Sequence, residues 1–369
     1  MQLVQATRDA LLKPLTTVAG IVERRNTLPI LANILLRKEG KSVAFIATDL
    51  EVQITTHAEF GMGDQTESTT VAARKLLDIL RALSDSDEIK LGLASGKLSV
   101  QSGKSRFALQ TLAAADFPTL AQPEKWDVSF SMPQKQLKHL FNMVHFAMAQ
   151  QDIRYYLNGL LLVFEPGFLR AVATDGHRLA HGGSAVEGIE GKHDVIVPRK
   201  TVLEMQRLLN DVDDPVTIDV APGQIRFRFG DVELVSKLVE GKFPDFTRVI
   251  PSNYTRHFQI DRELLQASLQ RAAILTTDKL KGVRLQLSDH QLKISSSNAE
   301  QEEAQEELDI DYSHEPLDVG FNVGYLLDVL ANVKTETVQW SVQPDVNASA
   351  LITAPDDEHF KYVVMPMRI

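Results

Sequence analysis

The 369-residue chain has no cysteine and a formal net charge of −10, with 44% hydrophobic and 24% charged residues. The missing cysteines exclude disulfides, thiolate catalysis and cysteine-ligated zinc. The acidic balance argues against holding nucleic acid by bulk electrostatics, since that affinity needs cations to replace counterions at phosphates.

In chain order, MQLVQATRDALL places no cationic stretch before an apolar core, so no signal peptide is expected. Leu11, Leu12, Leu15 and Val18 then predict a helix ending at Gly20. Strands are expected over 28–36 and up to Ala47-Thr48-Asp49-Leu50. Leu76, Leu77, Leu80 and Leu83 predict a second helix over 74–83, followed by strands at 89–93 and 97–101. The same order then recurs: a helix over 134–146, strands at 157–164 and 170–174, a helix from Arg199-Lys200 to Leu209, and strands at 216–220 and 225–229. A third pass predicts a helix over 261–273, strands near 283–287 and 291–295, and a helix over 323–333. The apolar run 160–164 is too short to span a bilayer, so a cytoplasmic protein without membrane contact is expected.

This order is an internal repeat. Phe117-Pro118 and Phe243-Pro244 lie 126 residues apart, and Pro366 follows Pro244 by 122; Ala47-Thr48-Asp49 returns as Ala173-Thr174-Asp175 after 126. A period of this size means one domain-sized unit used three times. Each unit is α+β, with two helices and antiparallel strands, and the periodic pattern breaks near 124 and 252, giving domains 1–124, 125–252 and 253–369. Helices pack 8–10 Å apart, so six in a circle leave no hole, whereas twelve leave one on the order of 25 Å. One such chain cannot surround a duplex, but two can.

The motifs carry competing readings. Gly103-Lys104-Ser105 resembles the end of a phosphate-binding loop, but Leu98 stands where its first glycine belongs. Asp175 and His177 form either an acid–base pair, as in a DNA- or nucleotide-processing hydrolase, or a strand-end turn like that of Asp49, and the turn is favoured because no nucleophile or metal partner accompanies them. Arg154-Tyr155-Tyr156 reads as packing or as a base-stacking pair. Glu300, Glu302, Glu303, Glu306 and Glu307 form a solvated face or the acidic half of an intersubunit contact with Lys104 and Arg106, with Ile274-Leu275 as its apolar centre. The segment Tyr362-Val363-Val364-Met365-Pro366-Met367-Arg368-Ile369 completes a strand or lines a groove for apolar peptides.

Taken with Thr27-Leu28-Pro29-Ile30-Leu31, Gln151-Asp152-Ile153-Arg154-Tyr155-Tyr156-Leu157-Asn158-Gly159, Ala173 to Ala180, Val197-Pro198-Arg199-Lys200 and Lys242-Phe243-Pro244-Asp245, the full chain resembles the bacterial DNA polymerase III beta subunits, the sliding clamps. The resemblance implies a non-enzymatic, cofactor-free processivity factor: a head-to-tail homodimer that forms a six-domain ring around duplex DNA without sequence preference. It implies a partner-peptide groove at Leu157, Thr174, Gly176, His177, Arg178, Leu179, Pro244, Arg248, Val249, Ser349, Val363, Val364, Met365, Pro366, Met367 and Arg368. The implied DNA-facing residues are Arg25, Arg74, Gln151, Tyr155, Tyr156 and Lys200. The implied subunit contacts are Lys104, Arg106, Phe107, Leu109, Ile274 and Leu275 with Glu300 and Glu303. Partners implied in the same way are the polymerase III alpha subunit, the clamp loader, and other polymerases and repair proteins carrying short linear motifs.

Overall fold

The computed structural model describes residues 1–23, 28–85, 88–277 and 281–369. Six α-helices occur among the described residues: α1 (Arg8–Ala19), α2 (Ala73–Ala82), α3 (Gln134–Val144), α4 (Arg199–Leu208), α5 (Arg262–Ala273) and α6 (Val323–Asn332). Their limits follow from local chemistry. Asp261 caps α5 by accepting from Leu264 N at 2.7 Å, and Asn322 caps α6 by accepting from Gly324 N at 2.9 Å. In α2, Leu76, Leu77 and Leu80 are buried while Arg74, Lys75 and Asp78 stay in water, the apolar stripe of a helix lying on a sheet.

Two expected strands start later than the apolar pattern suggests. Pro29 has a fixed φ and no N–H to give a ladder, so 29–32 forms a 3-10 turn and the strand is Asn33–Glu39. Likewise Tyr155–Leu157 is a 3-10 turn, and the strand is Gly159–Glu165. The helix expected to reach 146 ends at Val144, followed by a 3-10 turn at His145–Ala147. Most of the acidic run, from Glu303 on, lies in a strand, Glu303–Asp309, an element that its charge conceals, with Glu300 and Glu302 just before it.

Two compact units divide the chain: Met1–Lys135 with Arg207–Leu238, and Gln136–Gln206 with Val239–Ile369. The first contains one twelve-stranded sheet. It runs from Gln2–Thr7 through Glu88–Ala94, Lys97–Ser102, Ser105–Leu112, Thr66–Ala72, Asn33–Glu39, Ser42–Thr48 and Val52–Glu59, then continues through Val232–Lys237, Gln224–Phe229 and Pro215–Ala221 to Val128–Pro133. The second contains an eight-stranded sheet, from His193–Pro198 through Gly159–Glu165, Phe168–Thr174 and Arg178–Ala185 into Asp357–Val364, Ala350–Ala354, Thr337–Val342 and Arg256–Asp261. It also contains a four-stranded sheet, ordered Glu303–Asp309, Gln291–Ser297, Gly282–Ser288, Leu317–Asn322.

The repeat is preserved to the level of single hydrogen bonds. Leu35 faces Ile46 as Leu161 faces Val172, and Thr48 faces Gln53 as Thr174 faces Leu179. Thr48 Oγ1 donates to Val52 O at 2.9 Å, and Asp49 Oδ1 accepts from Glu51 N and Val52 N at 2.9 and 2.7 Å. In the second copy Thr174 Oγ1 donates to Arg178 O at 2.6 Å, and Asp175 Oδ1 accepts from His177 N and Arg178 N at 2.9 and 3.1 Å. The residue between them takes positive φ in both, 77° at Leu50 and 90° at Gly176. Gly176 also leaves room for Arg154, whose guanidinium nitrogens would lie 3.0 Å from an added Cβ.

Phe227, fully buried in the strand Gln224–Phe229, anchors the core beneath the continued sheet of the first unit. Phe227→Ala should destabilise the fold by about 3–5 kcal/mol, read as a lower midpoint in chemical denaturation.

Candidate peptide groove and nucleic-acid interface

The site residues in the second unit gather where the strand Arg178–Ala185 meets Asp357–Val364. Arg178 pairs with Val364 and Leu179 with Val363, and Met365 N continues the ladder by donating to His177 O at 2.9 Å. Met367 N then donates to Gly320 O at 2.8 Å. The segment from Tyr362 therefore both completes a strand and lies down as a wall. Ile369 rests over two strand glycines, and a Cβ on Gly320 would come within 2.5 Å of its side chain.

Below this wall, Leu157, Leu179 and Val363 form one apolar cluster with Ala149, Leu161, Val172 and Phe243. Leu157, Leu179, Val363 and Val364 are nearly or fully buried, and so form the floor of the site. Gly176, His177, Pro244, Arg248, Val249, Met365 and Arg368 are exposed, Met365 by 51% and Val249 by 44%. Ser349 is half-buried and its carbonyl accepts from Tyr254 OH at 3.1 Å. Met365, Pro366, Met367 and Arg368 line a cleft of about 630 Å³ with Arg284, Val346 and Asn347.

Arg178 is the hub. Its Nε donates to Asp175 Oδ2 at 3.0 Å, Nη1 to Asp328 Oδ2 at 2.6 Å and Nη2 to Phe146 O at 2.7 Å, and its guanidinium lies 4.3 Å from the centre of the Tyr325 ring. Burial works against this charge, but Tyr362, Asp328 and Asp175 outweigh it and hold the Arg178 pKa above its usual value. Asp175 thus spends its carboxylate on a turn and an arginine, the strand-end reading favoured over an acid–base pair. Asp328 lies 150 residues away in sequence, and Tyr325, Phe146 and Phe246 join the site with no motif to announce them. Phe243 is marked in the sequence by the Phe-Pro repeat and by the motif Lys242-Phe243-Pro244-Asp245, neither of which places it in the floor.

The residues assigned to nucleic acid are distributed differently. Arg25 lies outside the described residues. Arg74 is exposed on α2, with Nη2 donating to Val22 O at 3.4 Å. Gln151 has φ 56° and is exposed, as is Tyr155 (57%) at the start of the 3-10 turn, while Tyr156 packs partly against the groove floor. Lys200 is half-buried in the first turn of α4. Asn158 braces the loop, with Oδ1 accepting from Asp152 N at 2.9 Å and Nδ2 donating to Asp152 O at 2.9 Å.

The residues expected at a subunit contact lie on or beside two strands with open edges. Lys104 lies in the turn before Ser105–Leu112, and Arg106, Phe107 and Leu109 lie on the part of that strand not paired to Thr66–Ala72, which holds it only at Thr111 and Leu112. Glu303 begins the edge strand of the four-stranded sheet and Glu300 is exposed just before it; Ile274, 76% exposed, and Leu275 follow α5. Gly103-Lys104 is a hairpin turn between Lys97–Ser102 and Ser105–Leu112, not the mouth of a phosphate-binding helix.

Arg154 chelates the Asp152 carboxylate, Nε to Oδ1 at 3.0 Å and Nη2 to Oδ2 at 2.8 Å, and hydrogen bonds from this side chain hold the Asp152 pKa down to about 2. A depressed carboxylate contributes its stabilisation above the ordinary pKa and loses it as pH falls through the depressed one. Arg154→Ala should therefore raise the Asp152 midpoint toward the usual aspartate range without reaching it, because the backbone N–H of residue 154 still donates to Asp152 Oδ1 at 2.8 Å; carboxyl-carbon NMR titration measures the shift.

Known proteins share this architecture throughout. Models of the N-terminal, central and C-terminal domains of the DNA polymerase III beta subunit match residues 1–121, 131–245 and 247–368 in that order. The beta sliding clamp of Pseudomonas aeruginosa is 47% identical over 363 residues, and that of Escherichia coli K12 is 44% identical over 364, each alignment covering 98% of both chains. A solved P. aeruginosa sliding clamp bound to griselimycin is 46% identical, with a TM-score of 0.95 and full coverage of both chains. A sliding clamp from Caulobacter crescentus is 37% identical, with a TM-score of 0.92. With three domain models matched in order and such relatives along its length, the chain belongs to the DNA polymerase III beta subunit family, the sliding clamps.

Proposed function

We propose that two copies of this chain, each of three domains near 1–124, 125–252 and 253–369, close head to tail into a ring that encircles duplex DNA and tethers the replicative polymerase. The observation that carries this reading is the pair of open strand edges. Val52–Glu59 and Arg178–Ala185 are each covered by the last strand of a following block, at Val232–Lys237 and Asp357–Val364. Among the described residues, the corresponding strand of the third repeat, Glu303–Asp309, has no such cover, and Ser105–Leu112 of the first repeat has an edge free over residues 105–110. An unpaired edge of this length invites another chain. The joint made twice within one chain is made a third time between chains, acidic Glu300 and Glu303 against basic Lys104 and Arg106, with Phe107, Leu109, Ile274 and Leu275 as its apolar part.

Closure makes processivity topological. The net charge of −10 does not oppose a ring held on DNA by its shape, and scattered contacts from Arg25, Arg74, Gln151, Tyr155, Tyr156 and Lys200 permit sliding without base readout. The chain itself is non-catalytic. The apolar floor under His177 and Met365 takes the apolar anchors of short linear peptides, so the polymerase III alpha subunit, the clamp loader, and other polymerases and repair proteins share one groove by competition.

Retention on nicked circular DNA followed by release on linearisation tests the ring; protein that stays on the linear form would sink it. Removing residues 365–369 should weaken binding of a polymerase-derived peptide at least tenfold, as read by fluorescence anisotropy, with the dimer intact by light scattering. Unchanged peptide affinity would remove this segment from the groove.

A further inference from the structure

The framework of the groove occurs a second time, at the earlier junction within the first unit. There Ser236 stands opposite Val52 as Val364 stands opposite Arg178. Lys237 N donates to Glu51 O at 2.8 Å as Met365 N donates to His177 O at 2.9 Å. Leu35, Ile46 and Phe117 cluster beneath, at the repeat positions of Leu161, Val172 and Phe243. A cleft of about 350 Å³ remains over Ala44, Ile46 and Gln53.

The side chains that make the later junction receptive are replaced here. Lys237 stands in the place of Met365 and pairs with Glu51, Nζ to Oε1 at 3.2 Å. Gln53 stands in the place of Leu179. It is 7% exposed, and its Oε1 accepts from Leu120 N at 2.9 Å, so the backbone just beyond Phe117-Pro118 is fastened to the floor. Leucine offers no acceptor, and the backbone beyond Phe243-Pro244 instead forms the 3-10 turn Phe246–Arg248, with Val249 standing out in water. Admitting a peptide over Gln53 would break the Leu120 bond and strand two polar groups at an apolar floor, a cost that Leu179 does not impose.

We propose that Gln53 fastens the 117–120 linker over a closed duplicate of the groove and so restricts this chain to one peptide site instead of two. The inference rests on the groove reading above and makes Gln53 a specificity-determining residue for the number of partners that each chain holds.

Gln53→Met keeps the shape and removes the acceptor, while Gln53→Glu keeps an acceptor oxygen. Hydrogen exchange of the peptide covering 117–121 and native mass spectrometry with griselimycin read the two consequences separately. Wild type and Q53E should show a protected linker and one griselimycin per chain. Q53M should exchange at least tenfold faster over 117–121 and take up a second, weaker equivalent. Unchanged exchange in Q53M overturns the proposal, and so does a loosened linker with no second equivalent. Two equivalents on the wild type would overturn it as well. Loss of griselimycin from every variant would instead overturn the groove reading, and the exchange comparison would still decide whether Gln53 fastens the linker.

Discussion

Everything in this molecule depends on how it disposes of the edges of its sheets. An edge strand presents a row of N–H and C=O groups that must find water, a side chain or another strand. Here the solution is to run one repeat's sheet into the next, Val52–Glu59 into Val232–Lys237 and Arg178–Ala185 into Asp357–Val364. The central repeat is consequently shared: its strands at 128–133 and 215–237 belong to the first compact unit, and those at 159–198 to the second. Compactness in space and repetition in sequence therefore divide the chain differently, because backbone pairing binds one half of the central repeat to the first repeat and the other half to the third.

That constraint also creates the site. Where two sheets join, the covering strand ends and the chain beyond it must leave the ladder, and a depression forms between the departing segment and the turn that opens the strand beneath. The Thr-Asp turn fixes one rim with four short-range hydrogen bonds, and the departing backbone forms the other. Whether the depression is useful then depends on a few side chains. Met365 and Leu179 make one copy apolar and open, whereas Lys237 and Gln53 make the other polar and closed.

Much of this was legible in the sequence, and the remainder was not for physical reasons. The helical stripes of α2 and α5, the paired Ala-Thr-Asp turns and the Phe-Pro markers were readable because period and turn chemistry are local properties. The strand at Glu303–Asp309 was hidden because its alternation is carried by Glu, Gln and Ala, with Leu308 as its buried anchor. The early start expected for Asn33–Glu39 came from counting Ile30 and Leu31 as ladder residues, although Pro29 imposes a tighter turn. The groove's wall could be read from the unusual apolar segment at 362–369, but its hub could not. Arg178 meets Asp328 and Tyr325 only because the fold brings α6 beside the second Thr-Asp turn, and no spacing along the chain encodes that meeting.

The pairing of Arg178 with two carboxylates bears on how ligands are distinguished. All three kinds of guanidinium nitrogen already have partners, two of them carboxylates, and aromatic rings cover its face. The side chain is only 9% exposed and already shares its charge with Asp328 and Asp175, so an incoming acidic group gains little from it and the hub mainly sets geometry. Recognition at the groove then rests on apolar shape, which salt hardly screens, whereas attraction to phosphates weakens steeply as ionic strength rises. On the proposed function, ionic strength thus separates the two kinds of contact: it weakens the scattered phosphate contacts, leaves the apolar anchors nearly unchanged, and does not undo a topological hold.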